Sequence, residues 1–111
     1  MHGRKKGVEN MLTKDETDVF EQSIRQAIIE QKKKLNFSDG KLGKIAFPYM
    51  AYPNTKVQAL LVGQGSQEKR KPQQMRFSDV IALCESLGLS WVDVGREALK
   101  AVKAAGKEAG K

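Results

Sequence analysis

Apolar residues recur at helical spacing along most of the chain, and they never alternate with polar ones for more than four residues. Phe20, Ile24, Ala27, Ile28 and Leu35 form the first stripe. Thr13 and Glu16 precede it at capping-box spacing, and Lys32, Lys33 and Lys34 stand where cations meet the negative pole of a helix. This pattern predicts a first helix over about 14–34. Ser38 is placed to cap a second helix over 39–47, with Leu42, Ile45 and Ala46 facing inward and Pro48 stopping it. Gly40 and Gly43 weaken that helix by about 1 kcal/mol each against alanine. Gly43 reads as a point where two helices pass closely.

Pro53 and Asn54 suit the start of a third helix over 54–62, the proline through its fixed φ and the asparagine as a cap. Val57, Leu60 and Leu61 are its apolar face, and Thr55, Lys56, Gln58 and Ala59 are left pointing outward. Gly63 ends it. The polar, basic stretch 64–76 reads as a loop. Ser78 is a cap for a fourth helix carrying Val80, Ile81, Cys84 and Leu87, which Gly88 terminates. Ser90 and Asp93 have capping-box spacing, and Leu89 and Val94 are positioned as a hydrophobic staple across the cap. A fifth helix is expected from Trp91, with Trp91, Val94, Ala98, Leu99 and Val102 inward and fraying beyond about 106. The fold class is all-α, with five helices. The chain divides into a flexible basic segment (1–12), a helical domain (13–105) and a frayed tail (106–111).

Charge changes the picture because it is unevenly spread. The formal net charge is +7, yet residues 1–40 net only +1 and residues 77–111 net zero. Residues 41–76 hold seven cations (Lys41, Lys44, Lys56, Lys69, Arg70, Lys71, Arg76) against Glu68, a net of +6. Cations gathered in one region are the footprint of a polyanion. The plainer alternative is a solvated basic face without a partner. An anionic membrane surface would call for a basic amphipathic helix. Pro48, Pro53, Gly63, Gly65 and Pro72 interrupt the window too often for one.

Candidate chemistry is sparse. One histidine, His2, and one cysteine, Cys84, are far apart and fall short of a zinc ligand set or a nucleophile pair. Cys84, among Val80, Ile81, Leu83 and Leu87, reads as a small core residue. No internal disulfide can form, and no metal or other cofactor is expected. Gly63-x-Gly65 is a fragment of a phosphate loop with no strand before it, so an enzyme is not expected. The basic start of the chain has no apolar stretch behind it, and no run approaches the about 18 apolar residues of a membrane span. A cytoplasmic protein is therefore expected.

The third helix offers Asn54, Thr55, Lys56 and Gln58 as base-reading side chains. Asn and Gln can pair with adenine through two hydrogen bonds, Lys can reach guanine acceptors, and a Thr methyl can touch that of thymine. Lys41 and Lys44 on the second helix, with Lys69, Arg70 and Lys71 in the loop, suit phosphates.

In this order and spacing the chain resembles the Cro and lambda-repressor-like (XRE-type) helix-turn-helix domains, from about residue 24 to residue 99. Ser38-Asp39-Gly40-Lys41-Leu42-Gly43 resembles the opening of that family's second helix. The stretch 54–63 is similar to its recognition helix, including the Val-x-Ala-Leu core and the closing Gly63. Leu87-Gly88-Leu89-Ser90 resembles its turn between helices four and five. The resemblance implies a five-helix lambda-repressor-like bundle with an extended C-terminal helix. It also implies base contacts from Asn54, Thr55 and Gln58, phosphate contacts from Ser38 and Gln64, and a homodimer on duplex DNA. Three departures stand out. Asp39 puts an acid beside a phosphate, Val62 stands where a polar residue is usual, and the turn over 47–53 is about four residues longer than a tight helix-turn-helix turn. Either the third helix is tilted, or Tyr49 and Tyr52 make further DNA contacts; the plainer alternative packs both rings over the core. The expected function is a sequence-specific DNA-binding transcription regulator acting at the nucleoid. The alternative is an antitoxin or adaptor that holds a protein partner through an exposed apolar patch on the first or fifth helix.

Overall fold

Thr13 opens the first helix as the spacing requires. Its hydroxyl accepts the Glu16 N–H (3.1 Å) while the Glu16 carboxylate accepts the Thr13 N–H (2.9 Å). In the computed structural model, which describes residues 13–63 and 71–109, that helix is α1 (Lys14–Lys34). It is followed by α2 (Asp39–Ala46), α3 (Pro53–Leu61), α4 (Phe77–Ser86) and α5 (Trp91–Ala109). No strand occurs among the described residues. The expected flexible segment over 1–12, residues 110–111, and the candidate phosphate contacts Gln64, Lys69 and Arg70 lie outside the described residues. The α5 backbone continues to Ala109, past the point where fraying is expected.

The chain turns out of α1 through Asn36, which holds φ at 59°. Its N–H bonds the Lys33 carbonyl and the Phe37 N–H bonds that of Lys32, both at 3.0 Å. This is a Schellman ending with asparagine in glycine's place. Ser38 caps α2 by accepting the Lys41 N–H at 3.0 Å. Two expected caps are corrected. The residue before α3 is Tyr52, with Pro53 and Asn54 already helical, and no side chain caps the start. The residue before α4 is Arg76, whose N–H donates to Asp79 at 3.0 Å, so Ser78 lies inside the helix. Ser90 does accept the Asp93 N–H, at 3.3 Å.

α1 packs chiefly along α5 and α2 against α3, with α4 bridging the two pairs. The core joins Ile24 and Ile28, Leu42 and Phe47, Val57, Leu60 and Leu61, Val80, Leu83, Cys84 and Leu87, and Val94 and Ala98. Each large side chain taken fully out of water contributes about 1.5–3 kcal/mol. Gly43 sits under α3: a Cβ there would lie 2.6 Å from the Pro53 carbonyl, so glycine permits the crossing. The same close approach explains a correction in α2. The buried face centres on Leu42 and Gly43, and Ile45 moves to the edge beside α4, 49% exposed. In α5 the buried stripe is Val94, Ala98 and Val102, one turn apart. Leu99 flanks it in the open, and Trp91 sets its ring edge-on to Phe77, 5.2 Å between centroids, instead of entering the core. Leu35, expected on the α1 stripe, is also exposed, because α1 ends one residue before it.

Candidate nucleic-acid interface

α3 is positioned from both sides. At its start Pro53 fixes the first helical φ and lies on Gly43 of α2. At its end Gly63 takes φ +100°, and its backbone meets that of Lys71 so closely that any Cβ would overlap the Lys71 carbonyl. Residues 71–75 then run back over the helix. The Gln73 N–H donates to the Ala59 carbonyl at 2.8 Å. Buried Arg25 of α1 ties the assembly together. It donates from Nε to the Leu60 carbonyl (2.8 Å) and from Nη2 to the Gln73 carbonyl (3.1 Å), while Gln22 and Glu21 accept its other contacts. Burial pulls the Arg25 pKa downward and Glu21 opposes the shift. A guanidinium stays charged regardless.

With Val57, Leu60 and Leu61 buried, Asn54, Thr55, Gln58 and Val62 form one exposed stripe along α3. Three of the four residues singled out for base contact are therefore in the open. Lys56 is not free in this way, and its expected outward direction is corrected. Its Nζ lies 3.6 Å from Oδ1 of buried Asp79 and 5.6 Å from the centre of the Phe47 ring, which ties α3 to the cap of α4. Ala59, also expected outward, is buried beneath the 71–75 segment.

The neighbouring candidates fall into two groups. Lys41 and Lys44 occupy the solvent face of α2, Lys41 with its ammonium 4.5 Å over the Phe37 ring. Lys71 is exposed at the far end of α3, beside Gly63. Ser38, by contrast, has its hydroxyl engaged in capping. Asp39, the acid that departs from the family pattern, pairs with Lys32 at 2.9 Å, which offsets its charge locally.

The long turn carries two aromatic rings in water. Tyr49 is 80% exposed and Tyr52 74% exposed, so the option that both pack over the core is not realised. Tyr49 only leans its ring edge-on to buried Phe47, 6.4 Å between centroids. Tyr52, Met50, Thr55 and Gln73 share a shallow cleft beside α3. Gln73 was not legible as a site residue, because its return over α3 is a long-range contact with no local pattern behind it.

No family model, curated protein or solved structure matches the chain. Its surface chemistry therefore carries the functional argument. Among the described residues no group of three His, Cys, Asp or Glu is placed to hold a metal ion. No described helix is long and apolar enough to cross a membrane.

A second feature lies away from α3. Phe20 and Ile24 of α1, Phe77 of α4 and Trp91, Val92 and Leu99 of α5 line an apolar groove. Phe77 is largely exposed there and Leu99 nearly half exposed.

Proposed function

We propose that the protein is a sequence-specific duplex-DNA-binding transcription regulator with a lambda-repressor-like arrangement of its helices, a binding protein and not an enzyme. The observation that carries this reading is the single open stripe of Asn54, Thr55 and Gln58 on a short helix held rigidly at both ends. It lies inside the chain segment that holds nearly all the excess positive charge. A helix of this kind enters a major groove with amide and hydroxyl groups facing base edges. Lys41, Lys44 and Lys71 serve phosphates, together with Gln64, Lys69 and Arg70 of the intervening segment. Ser38, already committed as a cap, and Lys56, paired with Asp79, contribute by holding the helices in place. Action on DNA puts the protein in the cytoplasm, at the nucleoid.

The groove beside α5 supports a homodimer, the arrangement a two-fold operator requires. It belongs to the part of the chain that is close to neutral, so two copies can meet there without mutual repulsion. The same groove is what an antitoxin or adaptor would use for a different protein chain.

Selection of bound sequences from a random duplex pool, with a salt titration, tests the reading. A recovered motif is expected, with affinity falling steeply with salt. Gln58→Ala is expected to relax the motif, and Lys44→Ala to weaken all duplexes alike. Absence of duplex binding in dilute salt would refute regulation through DNA.

A further inference from the structure

The turn between α2 and α3 is built as a rigid mount for two rings. Buried Phe47 anchors its first end, with its N–H on the Gly43 carbonyl at 2.7 Å. The Met50 N–H returns to the Phe47 carbonyl at 3.1 Å, closing a turn over Pro48 and Tyr49. Pro53, wedged on Gly43, anchors the second end. Between these anchors Tyr49 and Tyr52 stand in solvent, so neither ring is serving the core. With the backbone fixed at both ends, only the side-chain rotations of the two rings are lost when they meet a flat partner.

The surroundings define that partner. The cleft under Tyr52 has a volume of about 460 Å³ and brings in the Met50 thioether, the Thr55 hydroxyl and the Gln73 amide. Among the described residues neither polar side chain is engaged in a hydrogen bond. Lys56 also lines the cleft, with its ammonium paired to Asp79 at 3.6 Å. Lys41, Lys44 and Lys71 stand in the open on the neighbouring elements. Aromatic faces, neutral hydrogen-bonding edges and exposed cations on the flanking elements together match an unstacked nucleotide, with base on ring and phosphate on lysine. A paired duplex hides its base faces, so flat rings in the open call for an unpaired base.

From this juxtaposition we infer that the 48–52 turn is a stacking platform for unpaired bases, so that the protein favours DNA carrying a short single-stranded gap next to the duplex held by α3. The inference rests on the DNA-binding reading and names a further ligand feature of the same surface. Tyr52 carries the principal stack, Tyr49 a second, and Gln73 meets the base edge.

The test uses the full chain with two probes: a fully paired duplex, and the same duplex with a three-nucleotide gap containing 2-aminopurine. The gapped probe is expected to bind roughly tenfold or more tightly, the range one stacked base supplies, with 2-aminopurine emission quenched on binding. Tyr52→Ala is expected to abolish both the preference and the quenching while paired-duplex affinity holds. Tyr52→Phe is expected to keep both. The ring is exposed, so the variants fold, and circular dichroism verifies it. Equal affinity for the two probes overturns the inference, as does a preference that survives Tyr52→Ala. Equal loss on both probes in Tyr52→Ala also overturns it, assigning the rings to paired DNA or to a protein surface. In those three outcomes the regulator reading stands. Failure to bind either probe at about 50 mM salt removes both.

Discussion

Gly43 and Gly40 sit in one short helix and have opposite prospects. A methyl group at Gly43 meets the Pro53 carbonyl at 2.6 Å and has nowhere to go, because that atom belongs to a helix backbone. Gly43→Ala is therefore expected to cost about 1–3 kcal/mol, seen as a lower urea midpoint with an unchanged slope. At Gly40 the nearest atom to a new Cβ is the Ser38 hydroxyl oxygen at 3.9 Å. Gly40→Ala should raise stability by up to about 1 kcal/mol through helix propensity alone, and the midpoint with it. Cys84 gives a pH-dependent expectation at the same scale. Burial, reinforced by the charge on Glu85, moves its thiol pKa from the ordinary 9.0 to about 11. The fold then holds the proton more tightly than the unfolded chain. The resulting stabilisation is complete below about 9 and lost as pH climbs to about 11. Native protein at neutral pH should leave a thiol reagent unreacted. Between pH 8.5 and 11 the wild type should lose more stability than Cys84→Ala, a comparison that cancels whatever the two proteins share.

At the scale of elements, Arg25 holds three segments that share no local sequence. Replacing it by methionine keeps the stem but strands the Leu60 and Gln73 carbonyls. A loss of about 2–4 kcal/mol is expected, with faster hydrogen exchange at the Gln73 amide than at amides inside α4. The helices themselves were legible: caps at Thr13 and Ser38, stops at Gly63 and Gly88, and a core stripe in each segment follow from short-range chemistry. So did the open positions Asn54, Thr55 and Gln58. What was not legible came from distant partners. Nothing near Lys56 announces Asp79, and nothing near Ala59 announces that Gln73 will cover it. Ile45 fits an inward pattern until the Gly43 crossing rotates α2 by its own geometry. Arg25 left a faint local sign, a guanidinium beside Ile24 and one turn after Glu21, but its carbonyl partners lie 35 and 48 residues further on.

For the molecule as a whole, segregation of charge matters more than its total. Residues 41–76 carry net +6 and residues 77–111 none. On the proposed reading, affinity for duplex DNA should fall with salt, and each of Lys41→Ala, Lys44→Ala and Lys71→Ala should reduce the logarithmic slope by about one. The near-neutral C-terminal third supplies Phe77, Trp91 and Leu99 to the groove. On the same proposed reading, sedimentation should show a dimer in the wild type and a monomer in Leu99→Glu. A wild type that sediments as a monomer and acquires mass only with another chain would favour the adaptor alternative.

The meeting of Gly63 with Lys71 has a further consequence for engineering. Because these two backbones touch, the path between them begins and ends at nearly one place, whatever its length. Closing a longer path costs only about 0.6 kcal/mol per doubling. A run of glycines and serines, a protease site or a small reporter spliced in after Gly65 should consequently leave α3 and the melting temperature almost unmoved. Replacing Gly63 by alanine, which separates the two ends, should unseat the helix.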